Sequence, residues 1–143
     1  MKRNLVVAST VGIAASLATT LVAAGPSLAS SNTKTLKFLS VEIAGHGIDS
    51  THFVGADKVK QNGIVVGFDS TSCVAASTAQ TFKCDVAAAF KGGELYGKFT
   101  DNAKGDLTGT VTGGTRQFAG ATGTISGTAA SKTSENVTVT YHT

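Results

Sequence analysis

Ala121-Thr122-Gly123-Thr124-Ile125-Ser126-Gly127-Thr128-Ala129-Ala130 alternates two kinds of side chain at every second position. Glycine, isoleucine and alanine occupy one set of positions, and threonine and serine occupy the other as far as Thr128. Successive side chains of a β-strand point to opposite faces, whereas a helix would repeat its apolar positions about every 3.6 residues. The stretch therefore predicts a β-strand with one buried face and one solvent-exposed face.

The same two-residue period runs outward from this stretch through most of the chain. Clusters of Gly, Asn, Asp and Ser interrupt it, and Gln61-Asn62-Gly63 is a strong tight-turn signal, because Asn-Gly tolerates positive φ. The pattern predicts eight strands, at 35–44, 52–60, 64–73, 81–90, 94–101, 105–112, 121–130 and 134–142.

Eight short strands joined by tight turns would leave two unpaired edges in an open sheet. Closure into a barrel removes both edges, and an eight-stranded barrel is wide enough to hold one small ligand. The sequence thus predicts an all-β fold, an eight-stranded antiparallel barrel. A two-sheet sandwich is the structural alternative.

The amino-terminal segment has the order of a secretory signal. Met1-Lys2-Arg3 is basic, residues 5–24 are almost uncharged, and Gly25-Pro26-Ser27-Leu28-Ala29 supplies small residues. We predict a signal peptide over 1–29, cleaved after Ala29, and one domain over 30–143. A membrane anchor is the alternative, but the run is rich in Ala, Ser and Thr and no basic cluster follows it. The mature protein is expected to be secreted and extracellular, without a stable membrane anchor.

The charge balance argues against nucleic-acid binding. The chain of 143 residues has 12 basic and 9 acidic residues, and loss of Lys2 and Arg3 with the signal leaves 10 against 9. Neither a basic stripe nor a stacking array of aromatic residues remains. His46, His52 and His142 lie far apart and form no ligand spacing, so no metal site is predicted.

The two cysteines are predicted to form a disulfide. Cys73 and Cys84 are an even count in an exported chain, and they lie near the ends of the third and fourth predicted strands. A metal pair is the alternative, but no partner ligands stand at finger-like spacing. A bridge would staple this hairpin.

One segment carries a family resemblance. Thr112-Gly113-Gly114-Thr115-Arg116-Gln117-Phe118-Ala119-Gly120-Ala121-Thr122-Gly123 resembles the Gly-Gly-Thr-Gly-x-Phe-x-Gly-Ala-x-Gly signature of the dirigent and allene oxide cyclase superfamily. Arg116 stands where the family has Gly, which predicts unusual backbone torsions there. Weaker similarities follow the family order at 53–59, 66–74, 94–99 and 136–142.

The resemblance implies an eight-stranded antiparallel barrel with an apolar cavity and neither metal nor cofactor. Such proteins are often trimeric, so a homo-oligomer, trimer or dimer, is expected. Members cyclise a reactive small molecule, or hold a radical or quinone-methide intermediate so that coupling goes one way. Catalysis of this kind confines the substrate and steadies developing charge with a few polar groups.

The resemblance also implies site residues. Glu42 matches a catalytic glutamate late in the first strand, Asp57 matches a water-holding asparagine, and Phe99 replaces a tyrosine. Cys73 matches a cysteine that lines the cavity in some cyclases. Because the tyrosine hydroxyl is missing, an acid pair of Glu42 and Asp57 would suit stabilisation of a cation or quinone methide better than allene oxide cyclisation.

Glu42 is also a candidate without the family. It shares a strand face with Leu36, Phe38 and Ser40, and an apolar inner face would raise its pKa and suit it to acid or base chemistry. The alternatives are a solvent-facing rim position for Glu42 and a lysine partner for Asp57. Phe38, Ser40 and Phe99 are the predicted cavity residues.

Two functions follow. The first is a secreted, cofactor-free barrel that binds an apolar small molecule and directs its cyclisation or stereoselective coupling. The second is a non-catalytic binding, carrier or interaction protein that uses the barrel as a scaffold.

Overall fold

The computed structural model describes residues 32–76, 81–102 and 104–143. Eight strands and one short 3₁₀ helix (η1) make up its regular structure. They are β1 Lys34–Gly47, β2 His52–Gln61, β3 Ile64–Ala75, β4 Phe82–Phe90, β5 Gly93–Asp101, β6 Asp106–Gly114, η1 Arg116–Phe118, β7 Thr122–Ser131 and β8 Ser134–His142. The predicted signal peptide and its cleavage site after Ala29 lie outside these residues. No helix in the described ranges has the length and apolar character needed to cross a bilayer.

The strands form a closed antiparallel barrel. Each strand pairs with its neighbours in sequence, and β8 pairs back with β1, with Phe38 opposite Val137 and Ser40 opposite Glu135. Closure gives every strand two partners, so the barrel has no open edge. The predicted barrel is confirmed, and the sandwich alternative is wrong.

The strand ends differ slightly from those predicted. β8 begins and ends as predicted, whereas β1 continues past residue 44 to Gly47 and β3 past residue 73 to Ala75. A register shift between Glu42 and Ala44 lets β1 keep pairing with β2 beyond the irregularity. Bulges of this kind add local twist and are common at barrel rims, and a two-residue period alone does not reveal them.

Alternate residues of every strand point into the barrel and build its core. The buried apolar cluster is formed by Leu95, Leu107, Val111, Phe118, Ala121, Ile125, Val137, Val139 and Tyr141. Its members come mainly from β5 to β8 and from the segment around η1. The core therefore occupies one side and one end of the barrel.

Helix η1 plugs that end. Phe118 is 1% exposed, and its ring lies 5.8 Å from that of Phe90 and 5.6 Å from that of Tyr141, centroid to centroid. A Cβ atom on Gly114 would lie 2.6 Å from Phe118, so the chain needs glycine there to bring the ring in. Arg116 has a φ of 52°, the unusual torsion predicted for this position.

The opposite end of the barrel is the mouth. The strands β1, β3, β5 and β7 run from the plugged end and finish at the mouth, and β2, β4, β6 and β8 begin there. β1 begins and β8 ends at the plugged end, where Lys34 pairs with Tyr141.

A disulfide joins Cys73 and Cys84, as predicted. The two residues lie directly opposite each other on β3 and β4, and both are buried. Both side chains belong to the inward-facing set, near the mouth. The bond therefore fastens the β3–β4 hairpin from inside the barrel.

Candidate functional site

Two adjoining spaces occupy the barrel above the plug. The inner cavity has a volume of about 60 Å³, and the wider space at the mouth, here called the vestibule, has a volume of about 400 Å³. Ser40, Asp57, Thr71, Phe99 and Glu135 line both. The vestibule lies within the size range of small-molecule sites, whereas the inner cavity has room for only a small end group.

Apolar side chains form most of the inner cavity wall. They come from six strands and are Phe38, Val86, Ala88, Phe90, Leu95, Phe99, Leu107, Val111, Ile125, Val137 and Val139. Phe38 packs edge-on against Phe90 at a centroid distance of 6.1 Å, which links this wall to the plug. An apolar group that entered from the vestibule would therefore be held by rings and aliphatic chains.

Ser40 connects two carboxyl groups at the junction of the two spaces. Its Oγ lies 2.8 Å from Oδ2 of Asp57 and 3.0 Å from Oδ2 of Asp69. A hydroxyl has one proton to donate, so both contacts are satisfied together when one carboxyl group is protonated and donates to Oγ. The three side chains then form a chain through which a proton can pass.

Asp69 is the member of this chain best suited to hold the proton. It is 9% exposed, and burial, with the neighbouring charge of Asp57 as the second cause, raises the pKa of Asp69 to about 7. The hydrogen bond from Ser40 acts in the opposite direction but is outweighed. A protonated Asp69 donating to Ser40, and Ser40 donating to Asp57, satisfies all three groups.

Two further acids, Glu135 and Asp101, line the vestibule. Burial, followed by the charges of Asp101 and Asp57, raises the pKa of Glu135 to about 7. Burial is also the main cause that raises the pKa of Asp101, whose Oδ1 atom is buried with no hydrogen-bond partner in the described structure. A buried polar atom left unpaired costs free energy and calls for an explanation, such as a bound ligand.

The predicted site residues lie around these spaces. Phe38 lines the inner cavity, Ser40, Asp57 and Phe99 line both spaces, and Glu42 lines the vestibule. Glu42 pairs with Asp57 across β1 and β2 but is exposed, as the rim alternative has it. Asp57 forms no ion pair among the described residues and accepts instead from Ser40, so the lysine-partner alternative is wrong. Cys73 and Cys84 line the vestibule wall as the cystine.

Sequence reasoning missed Asp69, Asp101 and Glu135. The alternation of strand faces could have identified two of them, because residues an even number of positions apart share a face. Asp69 lies two and four residues before the inward Thr71 and Cys73, and Glu135 lies two residues before the inward Val137. The carboxyl groups were therefore assignable to the inner face of β3 and β8. Their proximity depends on which strands are brought together by barrel closure.

The geometry allows acid and base chemistry beside an apolar wall. Groups whose pKa lies near neutral pH can donate and accept protons, and such groups cluster at functional sites. The ion pairs of the described ranges, Asp49–His52 and Asp85–Lys98, lie on the exposed surface. The acids of the barrel interior therefore have no cationic partner within 4.0 Å among the described side chains.

Comparison with known proteins supports the fold. No protein-family model matches the sequence, and no curated protein sequence matches it. Among solved structures, 25 chains match. One is a pyocyanin demethylase, with 18% sequence identity and a TM-score of 0.66, aligned over 76% of this chain and 99% of that chain. At this identity the likeness shows a barrel of the same general kind.

Proposed function

We propose that this protein binds a mostly apolar small molecule through the mouth of its barrel and exchanges protons with it. The observation that carries the proposal is the junction itself, where an apolar cavity meets the Asp57–Ser40–Asp69 chain. The apolar part of the ligand would point toward Phe38 and Phe99. Its polar part would remain in the vestibule beside the carboxyl groups.

The proton exchange uses three side chains in sequence. Asp57, which faces the vestibule, gives a proton to the ligand or takes one from it. Ser40 first passes its proton to Asp57 while it receives one from Asp69, so that Asp57 then holds the proton that it gives to the ligand. The reverse transfers return the proton to Asp69. Such a chain supports cyclisation or coupling reactions in which charge develops on an apolar substrate.

The resemblance to the dirigent and allene oxide cyclase superfamily supports the cyclisation or coupling part of the proposal. Its signature segment builds the plug that makes the barrel a closed-ended container, with Phe118 at its tip. The demethylase comparison adds a barrel of the same general kind whose name refers to a small-molecule reaction. The disulfide supports export to an oxidising compartment, as predicted for a secreted protein.

A tryptophan side chain introduced inside the barrel would fill the site, and this substitution tests ligand binding. The chain contains no Trp, and Thr71 lines both spaces, whereas Thr108 lies exposed on the outer face of β6. The neutral, environment-sensitive dye prodan is expected to bind the unaltered protein and to lose at least about tenfold in affinity in Thr71→Trp. Thr108→Trp should bind prodan as the unaltered protein does. Equal binding by both variants would contradict a ligand site inside the barrel.

The carrier function is the second candidate, and the size of the inner cavity favours it. A space of about 60 Å³ confines only a small group, so most of a ligand would stay in the vestibule. Glu42→Gln and Asp57→Asn separate the two functions when each variant is added to extracts of the producing organism. A catalyst predicts a changed product distribution, whereas a carrier predicts unchanged products and retention of the same co-purifying small molecules by mass spectrometry.

A further inference from the structure

We infer that the vestibule selects an aromatic ligand that carries a positively charged nitrogen. This inference rests on the proposed function, since it names the class of molecule that the same site would take. Three features of the vestibule point to this class: its charge, its rings and its unpaired acceptor.

The charges around the vestibule are mostly negative. Glu42, Asp57, Asp101 and Glu135 line it, and Lys132, in the β7–β8 turn, is the basic residue among the described lining side chains. Lys132 is exposed and forms no ion pair with these acids in the part of the chain that the structure describes. A cleft lined by charges of one sign concentrates the opposite charge. The vestibule therefore favours cations over anions of the same shape.

Aromatic rings face the same space. Phe53 from β2, Phe82 from β4 and Phe99 from β5 line the vestibule together with the acids. Rings of this kind stack on a flat ligand, and they also attract a cation placed over their faces. A ligand with both a ring and a charged nitrogen would use the rings and the carboxylates together.

In the described part of the chain, one carboxylate oxygen of the vestibule acids lacks a hydrogen-bond donor. Oδ1 of Asp101 is buried and has no hydrogen-bond partner among the described groups. Asp101 lines the vestibule, so a rotation of its carboxyl group would present this atom to an N–H or O–H group of a ligand, the kind of donor that an ionised carboxylate accepts from. A protonated amine supplies such donors and the opposite charge at once, which makes the strongest kind of hydrogen bond.

Binding of a cation would also release protons near neutral pH. Burial raises the pKa of Asp69 and that of Glu135 to about 7, and a nearby positive charge would lower both. Cation affinity should therefore rise with pH from about 5.5 to about 8. The charged groups that face the cation are Glu42 of β1, Asp57 of β2, Asp69 of β3, Asp101 of β5, Lys132 of the β7–β8 turn and Glu135 of β8.

Three probes that share one ring system test the inference. They are 1-naphthylmethylammonium, the neutral 1-naphthalenemethanol and the anionic 1-naphthylacetate, titrated into the full oxidised protein by calorimetry. At pH 8 the cation is expected to bind about tenfold or more tightly than the alcohol, and the anion most weakly. Only the cation should gain affinity as the pH rises.

Matched variants locate the charge effect. Glu135→Gln should weaken cation binding about three- to tenfold and leave the alcohol unchanged, because only the cation uses the carboxylate. Glu94→Gln makes the same change on the exposed outer face of β5 and should alter neither. Equal affinity for the three probes, or a tighter anion, would overturn the inference and leave small-molecule binding standing. Absence of binding by all three, with prodan also failing to bind, would overturn both.

Discussion

Single side chains distinguish the closed end of the barrel from its open end. Phe118 fills the closed end and contacts the rings of Phe90 and Tyr141. Asp69, although nearly as buried, lies where the apolar wall gives way to Ser40 and Asp57. Burial therefore serves packing at one position and raises the pKa of a carboxyl group at the other.

Replacing the plug residue should destabilise the protein strongly. Phe118→Ala removes a ring that is 1% exposed, and the cavity left behind should lower the free energy of unfolding by about 3–5 kcal/mol. Urea unfolding of the oxidised protein measures it. Phe68→Ala removes a ring that is 52% exposed and should change stability by no more than about 1 kcal/mol. A similar loss in both variants would contradict the role of Phe118 as the plug.

At the scale of elements, the β3–β4 hairpin depends on its cystine. The double variant Cys73→Ala/Cys84→Ala opens a loop of 11-residue separation and should lower the free energy of unfolding by about 3 kcal/mol. The unaltered protein, reduced and alkylated, is the control and should lose a similar amount. A double variant as stable as the oxidised protein would show that strand pairing alone holds the hairpin.

The elements were predictable from the sequence to different degrees. The two-residue period predicted all eight strands, and the even cysteine count predicted the bridge between the third and fourth strands. Helix η1 was missed, because three residues show no period and its position depends on the approach of Phe118 to Gly114. Asp57 was singled out by resemblance alone, while its contact with Ser40 depends on the register between β1 and β2. The placement of Asp69 beside Asp57 depends on the register between β2 and β3. The two-residue alternation within a strand predicts which face a side chain occupies, whereas the closure of the barrel determines which side chains come into contact.

At the scale of the whole molecule, the buried acids should make the fold more stable in mild acid. Asp69 and Glu135 have raised pKa values of about 7, so the folded protein binds more protons than the unfolded chain between about pH 4 and 7. The free energy of unfolding should therefore fall as the pH rises through this window and level off above it. Asp49, whose pKa is lowered by hydrogen bonds from His52 and Thr51, has the opposite effect only at lower pH.

Removing one of these acids should weaken the dependence of the free energy of unfolding on pH. Asp69→Asn keeps the shape and a partner for Ser40 without a charge to bury, and it should raise the free energy of unfolding at pH 8 by about 1–3 kcal/mol. The gain should shrink at pH 5, where Asp69 is already protonated. Asp85→Asn, on the exposed surface beside Lys98, should leave the profile unchanged. Stability of the unaltered protein that rises from pH 5 to pH 8 would contradict the assignment.

Lys34 pairs with Tyr141, so the start of β1 and the end of β8 lie side by side, at the end of the barrel farthest from the mouth. A tether at the carboxyl end would therefore hold the protein on a bead or a sensor surface with its mouth turned toward the solution. A short linker could also join the end of β8 to the start of β1, and new ends cut in the β3–β4 connection would give a circular permutant with the same strand order around the barrel. The cystine would then bridge the new first and last strands.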